Sequence, residues 1–238
     1  MPATLESPPD RTVLPPPEAL PVLQPGDSLT RAEFERRYHR MKNVKKAELI
    51  EGIVYMPSPV RATRHSEPHA QLGMLISYYA AHTPGTRAFS DATVRLDLDN
   101  EPQPDAVLLI CPSLAGQTRI SHDDYIEGPP ELCIEIAAST AAYDMHQKKR
   151  AYRRNGVREY LVWLTEDRRL VLWELKESDY CEIAPDADGI LKSRVFPGLW
   201  FDSAALLAGN LKQALAVLQH GLASEDHASF STALAAMG

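Results

Sequence analysis

The sequence predicts a mixed α/β (α+β) domain, with a mixed central β-sheet flanked by helices. Three observations carry that prediction. Short apolar runs with strand alternation are interspersed with segments of helical periodicity, as in a sheet layered with helices. At 44% hydrophobic and 24% charged, the 238 residues have the make-up of an ordinary globular chain that builds its core without staples. The ends differ from the middle, which divides the chain into a proline-rich arm (1–27), one domain (28–221) and a flexible tail (222–238).

The arm holds Pro2, Pro8, Pro9, Pro15, Pro16, Pro17, Pro21 and Pro25, too many for a helix or a central strand. "DSLTRAEFERRY" then opens a helix, with Ser28 or Thr30 as cap and Glu33 reaching back from the first turn. "AELIEGIVYMPSP" alternates and breaks at Gly52, a hairpin or a bent strand pair. "EPHAQLGMLISYYAAH" places Leu72, Leu75, Ile76 and Tyr79 on one helical side. "RAFSDATVRLDLDN" and "PDAVLLI" read as strands joined by a turn at Asn100-Glu101-Pro102. After a looped stretch, "PPELCIEIAAST" is a strand. "TAAYDMHQKKRAYRRNG" is a helix that stops at Asn155-Gly156. "REYLVWL" and "RLVLWEL" flank the polar "TEDR" as an antiparallel hairpin, and "SAALLAGNLKQALAVLQ" is a last amphipathic helix.

Composition narrows the function. Cys111, Cys133 and Cys181 are scattered with no CxxC pair, which argues against a disulfide framework. No apolar stretch reaches transmembrane length and the N-terminus lacks a secretion signal, so the expected setting is cytoplasmic, with no membrane partner. A formal net charge of −7 is not the signature of a strong nonspecific DNA binder, unless the charge is locally segregated.

One residue poses the chemical question. Glu135 sits mid-strand in "LCIEIA", sharing a face with Cys133 and Ala137, and an unpaired buried carboxylate is costly. A positive group or a proton belongs beside it. Glu48 and Asp105 are further acids delivered by strands, and carboxylates on neighbouring strands can present oxygens to a hard cation such as Mg²⁺ or Mn²⁺. The plainer alternatives are a structural salt bridge for Glu135, a turn role for Asp105 after Pro104, and surface placement for Glu48.

"AELIEGIVYMPSP", "QPDAVLLI", "PPELCIEIAAST", "YDMHQKKRAYRRNGVREYLVW" and "FPGLWFD" occur in an order that resembles the putative restriction endonucleases common in cyanobacteria and other bacteria, a family of the PD-(D/E)XK nuclease superfamily. The resemblance spans roughly residues 28 to 213. It implies a restriction-endonuclease-like core and a Mg²⁺-dependent DNA endonuclease that leaves a 5′ phosphate. Pro104-Asp105 then matches the PD pair and Glu135 the acidic position. Asp105, Glu135 and the Ile136 backbone carbonyl would hold the cation, and Glu48 a second cation or the water. The lysine expected two residues after Glu135 is absent, since Ala137 stands there. The family commonly carries a lysine on the following helix, and Lys148 occupies that place, one turn after Asp144. Lys149 points about a quarter-turn away. Lys148 would orient or help deprotonate the attacking water, or neutralise the phosphate. The competing reading for "KKRAYRR" is a solvated charged face.

Other residues draw duller readings. Asp144 suits a first helical turn, and Tyr152 and Tyr160 suit packing. His65 and His69 stand at zinc-like spacing, but Pro68 between them argues against an ordinary helix, and no third ligand has recognisable spacing. A polar role for His69 beside the site follows from the resemblance. For a DNA partner, "RRYHRMKNVKK" (36–46) and "KKRAYRR" (148–154) supply cations next to Glu48 and Glu135. "LVLWEL" as an exposed edge strand would pair two copies into a homodimer. The alternative function, favoured by Ala137 and the acidic total, is a catalytically inactive nuclease-fold binding or regulatory protein.

Overall fold

A computed structural model describes residues 21–56, 61–138 and 141–237. In chain order they form α1 (Arg31–Tyr38), β1 (Glu48–Ile50), β2 (Ile53–Tyr55), a π-helical turn (Ala62–Ser66) running into α2 (Glu67–His82), β3 (Thr86–Ser90), β4 (Val94–Arg95), β5 (Ala106–Ile110), a 3₁₀ turn (Pro112–Leu114), β6 (Arg119–Ile120) and β7 (Ile126–Glu127). Next come β8 (Leu132–Ala137), α3 (Ala141–Tyr143), a second π-helical turn (Asp144–Lys148), α4 (Lys149–Asn155), β9 (Glu159–Leu164), β10 (Arg169–Lys176), β11 (Asp179–Glu182), β12 (Ile190–Lys192) and β13 (Trp200–Asp202). Helices α5 (Ser203–Leu207), α6 (Leu211–Leu222) and α7 (Glu225–Ala235) follow.

The centre is a six-stranded mixed sheet in the order β11-β10-β9-β8-β5-β3. Only β8 and β9 pair in parallel; the other neighbours are antiparallel. The alternation read from "LCIEIA" sorts the two faces. Leu132, Ile134 and Ile136 pack with Leu72, Leu75, Ile76 and Tyr79 of α2 and with Ala214 and Leu218 of α6. Cys133 and Ala137 pack on the other side with Ala151's neighbour Tyr152 and with Val157 and Tyr160. A smaller cluster of Leu23, Phe34, Ala47, Leu49 and Val54 joins α1 to the β1–β2 hairpin. Its turn, Glu51-Gly52, has φ of 51° and 75°, the left-handed pair that tight hairpins need.

Several expectations are corrected. Residues 1–20 of the expected arm lie outside the described residues, but its end is structured: Leu23 is buried, and Gly26 N–H donates to the Val54 carbonyl at 2.8 Å. The expected tail is α7, capped by Ser224 and held by buried Leu234 and by His227 against Thr83 (2.9 Å). Its small residues hid a stripe at His227, Phe230 and Leu234. "LVLWEL" lies in β10, between β9 and β11, so it is not an edge and cannot serve as the expected pairing strand.

"RAFSDATVRLDLDN" is two strands in different sheets, divided where Asp91 takes φ 52°. The last predicted helix is two, broken at Gly209 (φ 69°), with Asn210 capping α6. Thr30 caps α1, but Glu33 turns to Arg36 and Arg37 instead of reaching back. Pro68 interrupts nothing, because it lies in the first turn of α2, where its missing N–H is not needed.

Candidate active site

Glu135 occupies the middle of β8 and is 2% exposed. Because β8 and β9 are parallel, the chain between them must cross back over one face of the sheet. That crossover carries α3, the second π-helical turn and α4, and it lays Lys148 on Glu135. Lys148 Nζ stands 2.9 Å from Glu135 Oε1, 2.9 Å from Glu48 Oε1 and 3.7 Å from Asp144 Oδ1. The Tyr152 hydroxyl donates to the same Glu135 oxygen at 2.7 Å.

Glu48 arrives from the hairpin. Leu49 bridges to Glu101, and Glu48 Oε1 accepts the Gln103 N–H at 2.7 Å, so β1 is tied to the segment that leads into Asp105. Asp105 precedes β5, which pairs with β8, and its Oδ2 accepts the Ile136 N–H at 2.7 Å. Lys46 Nζ lies 3.5 Å from Asp105 Oδ1 and His65 Nε2 lies 3.3 Å from Oδ2. His69 Nε2 meets the Asp105 backbone oxygen at 2.7 Å. The structure therefore brings Glu48, Asp105, Glu135 and Lys148 into one connected cluster, although they come from four separate places in the chain. Ile136 joins it through its N–H.

The electrostatics follow from burial. Loss of water, with the neighbouring Asp105, Asp144 and Glu48 carboxylates, pushes Glu135 above the ordinary carboxylate range, against the pull of Lys148. Burial alone would lower Lys148, but Glu135, Glu48 and Asp144 overcome it and hold the ammonium charged well above its ordinary range. Burial would raise Asp105, yet the His65 hydrogen bond, Lys46 and Lys148 keep it well below the usual carboxylate range.

Four carboxylates thus face two ammonium groups. The donor type and the surplus negative charge fit a hard divalent cation. The Tyr143 hydroxyl, buried without a hydrogen-bond partner among the described residues, can also take an added oxygen. The present arrangement is that of a salt bridge: among the described residues no three His, Cys, Asp or Glu side chains converge as metal ligands do. Lys148 stands between Glu48 and Glu135, and Asp105 is turned to Ile136 and His65.

Sequence reasoning missed Lys46, His65, Asp144 and the Tyr152 hydroxyl as members of the cluster. The signal for His65 was present in its spacing to His69; their rings lie 6.0 Å apart, but both turn to Asp105. Lys149 points elsewhere, with Nζ 3.8 Å from the centre of the Trp173 ring. The basic runs are unequal. Arg150 and Arg154 hold Glu51, Arg153 lies 3.8 Å from Asp179, and Arg36 and Arg37 bind Glu33. Arg40, Lys42 and Lys45 are exposed, with no side-chain ion pair among the described residues.

Comparison with known proteins identifies a family and a fold. A model of the Uma2 family, described as "Putative restriction endonuclease", matches residues 31–207. Among solved structures, "a putative nuclease belonging to DUF820" from Anabaena variabilis is similar with a TM-score of 0.53, at 12% identity over 77% of this chain and 97% of that one. At that identity the likeness is one of fold. No curated protein matches.

Proposed function

The chain belongs to the Uma2 family described as "Putative restriction endonuclease", and from that premise we propose that it is a metal-dependent DNA endonuclease working at the Glu48–Asp105–Glu135–Lys148 cluster. The family and the restriction-endonuclease-like fold are those of nucleases. The observation that carries the finer reading is the convergence of these residues on Lys148 and Ile136.

Asp105, Glu135 and the Ile136 carbonyl would hold a Mg²⁺ or Mn²⁺ ion, with Glu48 beside them. Such an ion, when bound, polarises a phosphoryl oxygen and makes water a better nucleophile. The chain's own groups do the rest. A carboxylate of the Glu48–Glu135 pair accepts the proton of the attacking water. That water's oxygen bonds to phosphorus as the bond to the 3′ oxygen breaks, and the leaving oxygen takes up a proton, giving a 3′ hydroxyl and a 5′ phosphate. Lys148, held charged between Glu48 and Glu135, orients the two carboxylates and supplies counter-charge to the site rather than acting as a base.

The test is conversion of supercoiled plasmid with Mg²⁺ or Mn²⁺. We expect nicking by the wild type and a loss of at least about 10²-fold in Glu135→Ala, the scale on which electrostatic and acid–base groups act. Equal nicking by both proteins would refute the site assignment. A second reading has its own support: the side chains of Glu48, Asp105, Glu135 and Lys148 are only 3–4% exposed. Lys148 satisfies Glu48 and Glu135, and Asp105 is held by Lys46, His65 and the Ile136 N–H. On that reading the chain is an inactive nuclease-fold binding or regulatory protein, and neither metal ion promotes nicking.

A further inference from the structure

The cluster has a closed side and an open side. Around Glu135, the side chains of Lys148, Glu48 and Asp144 are all 3–4% exposed. Around Asp105 the partners reach water: Lys46 is 24% exposed and His65 20%. A DNA phosphate is too large to enter a closed salt bridge, so the groups it meets first are those on the Asp105 side.

Lys46 and His65 come from different elements, the loop before β1 and the turn before α2, and both stand by Asp105 without being fully used by it. Asp105 already accepts the Ile136 N–H. Lys46 Nζ stays at 3.5 Å, and its ammonium makes no shorter polar contact among the described residues. His69 is different, since its ring nitrogen is engaged with the Asp105 backbone oxygen. The loop that ends at Lys46 also carries the exposed Arg40, Lys42 and Lys45, whereas the arginines of α4 are occupied by Glu51 and Asp179.

We infer that Lys46 and His65 receive the scissile phosphodiester, donating to its non-bridging oxygens at the open side of the site, and that duplex DNA runs along the 40–46 loop rather than along α4. The inference rests on the nuclease reading but concerns binding, so it is tested without turnover. The full chain is titrated against a labelled DNA duplex in EDTA over a series of salt concentrations.

Lys46→Met is expected to weaken binding about tenfold, the scale of one charged hydrogen bond, and to lower the salt slope by about 0.9. Lys46→Arg should restore both, His65→Gln should weaken binding on its own, and Arg150→Ala should bind as the wild type does. If the wild type binds the duplex and neither Lys46→Met nor His65→Gln weakens it, the inference is overturned while the nuclease reading stands. A stronger loss in Arg150→Ala than in Lys46→Met overturns it as well. A wild type that binds no duplex overturns this inference, whereas the nuclease reading stands or falls on nicking with Mg²⁺ or Mn²⁺.

Discussion

Lys148 is the residue on which the interior balances. Removing one member of a buried ion pair leaves the other members uncompensated, at a cost of roughly 3–5 kcal/mol. Here three carboxylates would be left, Glu48, Glu135 and Asp144. Lys148→Met should therefore lose stability on that scale in urea unfolding, and Lys148→Met combined with Glu135→Gln should recover part of it, because one buried charge is then removed. If the double variant is no more stable than the single one, the two side chains are not coupled as their 2.9 Å contact implies. The family resemblance pointed to Lys148, and in the fold it is Lys148 that meets Glu135 while Lys149 lies over Trp173. Nothing in the sequence hinted that Lys148 would hold Glu48 as firmly as Glu135.

At the scale of elements, the parallel β8–β9 pair matters most, because it forces a crossover that returns basic residues to an acidic strand. The π-helical turn at Asp144–Lys148 sits in that crossover, a feature often found at functional sites. Elsewhere, close approach is built with glycine. A Cβ on Gly221 of α6 would run into the Gly198 carbonyl oxygen and lie 2.9 Å from the Trp200 ring of β13. Gly221→Ala should cost about 1–3 kcal/mol by overpacking, read as a lower urea midpoint with an unchanged slope. No change would mean that α6 and β13 part easily.

Across the whole molecule, buried acids away from the site also shape stability. Glu101 is pushed up to about 8 by burial and by Glu35 next to it, against Arg95 and Arg31; Glu159 is pushed up to about 7 by burial. A folded-state value above the ordinary 4.5 means that the native protein keeps a proton the unfolded chain has released. Stability from this source is therefore full below about pH 4.5 and is lost as pH rises toward 8. Glu101→Gln, which mimics the neutral acid, should gain on the wild type as pH rises from about 5.5 to 8.5 by on the order of 3 kcal/mol, since one unit of displacement is worth ~1.4 kcal/mol. A difference that does not change with pH would show that Glu101 is ionised in the native state. Among the described residues no helix is long and apolar enough to cross a membrane.

Local chemistry was legible in the sequence. Alternation in "LCIEIA" placed Glu135 opposite Leu132, Ile134 and Ile136, the α2 stripe was read correctly, and the order of short motifs led to the family. These features depend on neighbours a few residues apart, which is the range over which periodicity and turn residues act. His65, Lys46 and the final helix were misjudged or passed over for the opposite reason. His65 and Lys46 matter only because the loops carrying them meet at Asp105, and α7 is ordered only because Phe196 and Thr83 wait for it far back in the chain. Long-range packing also decided which carboxylates lose their water. That loss, more than the identity of the residues, sets their charge.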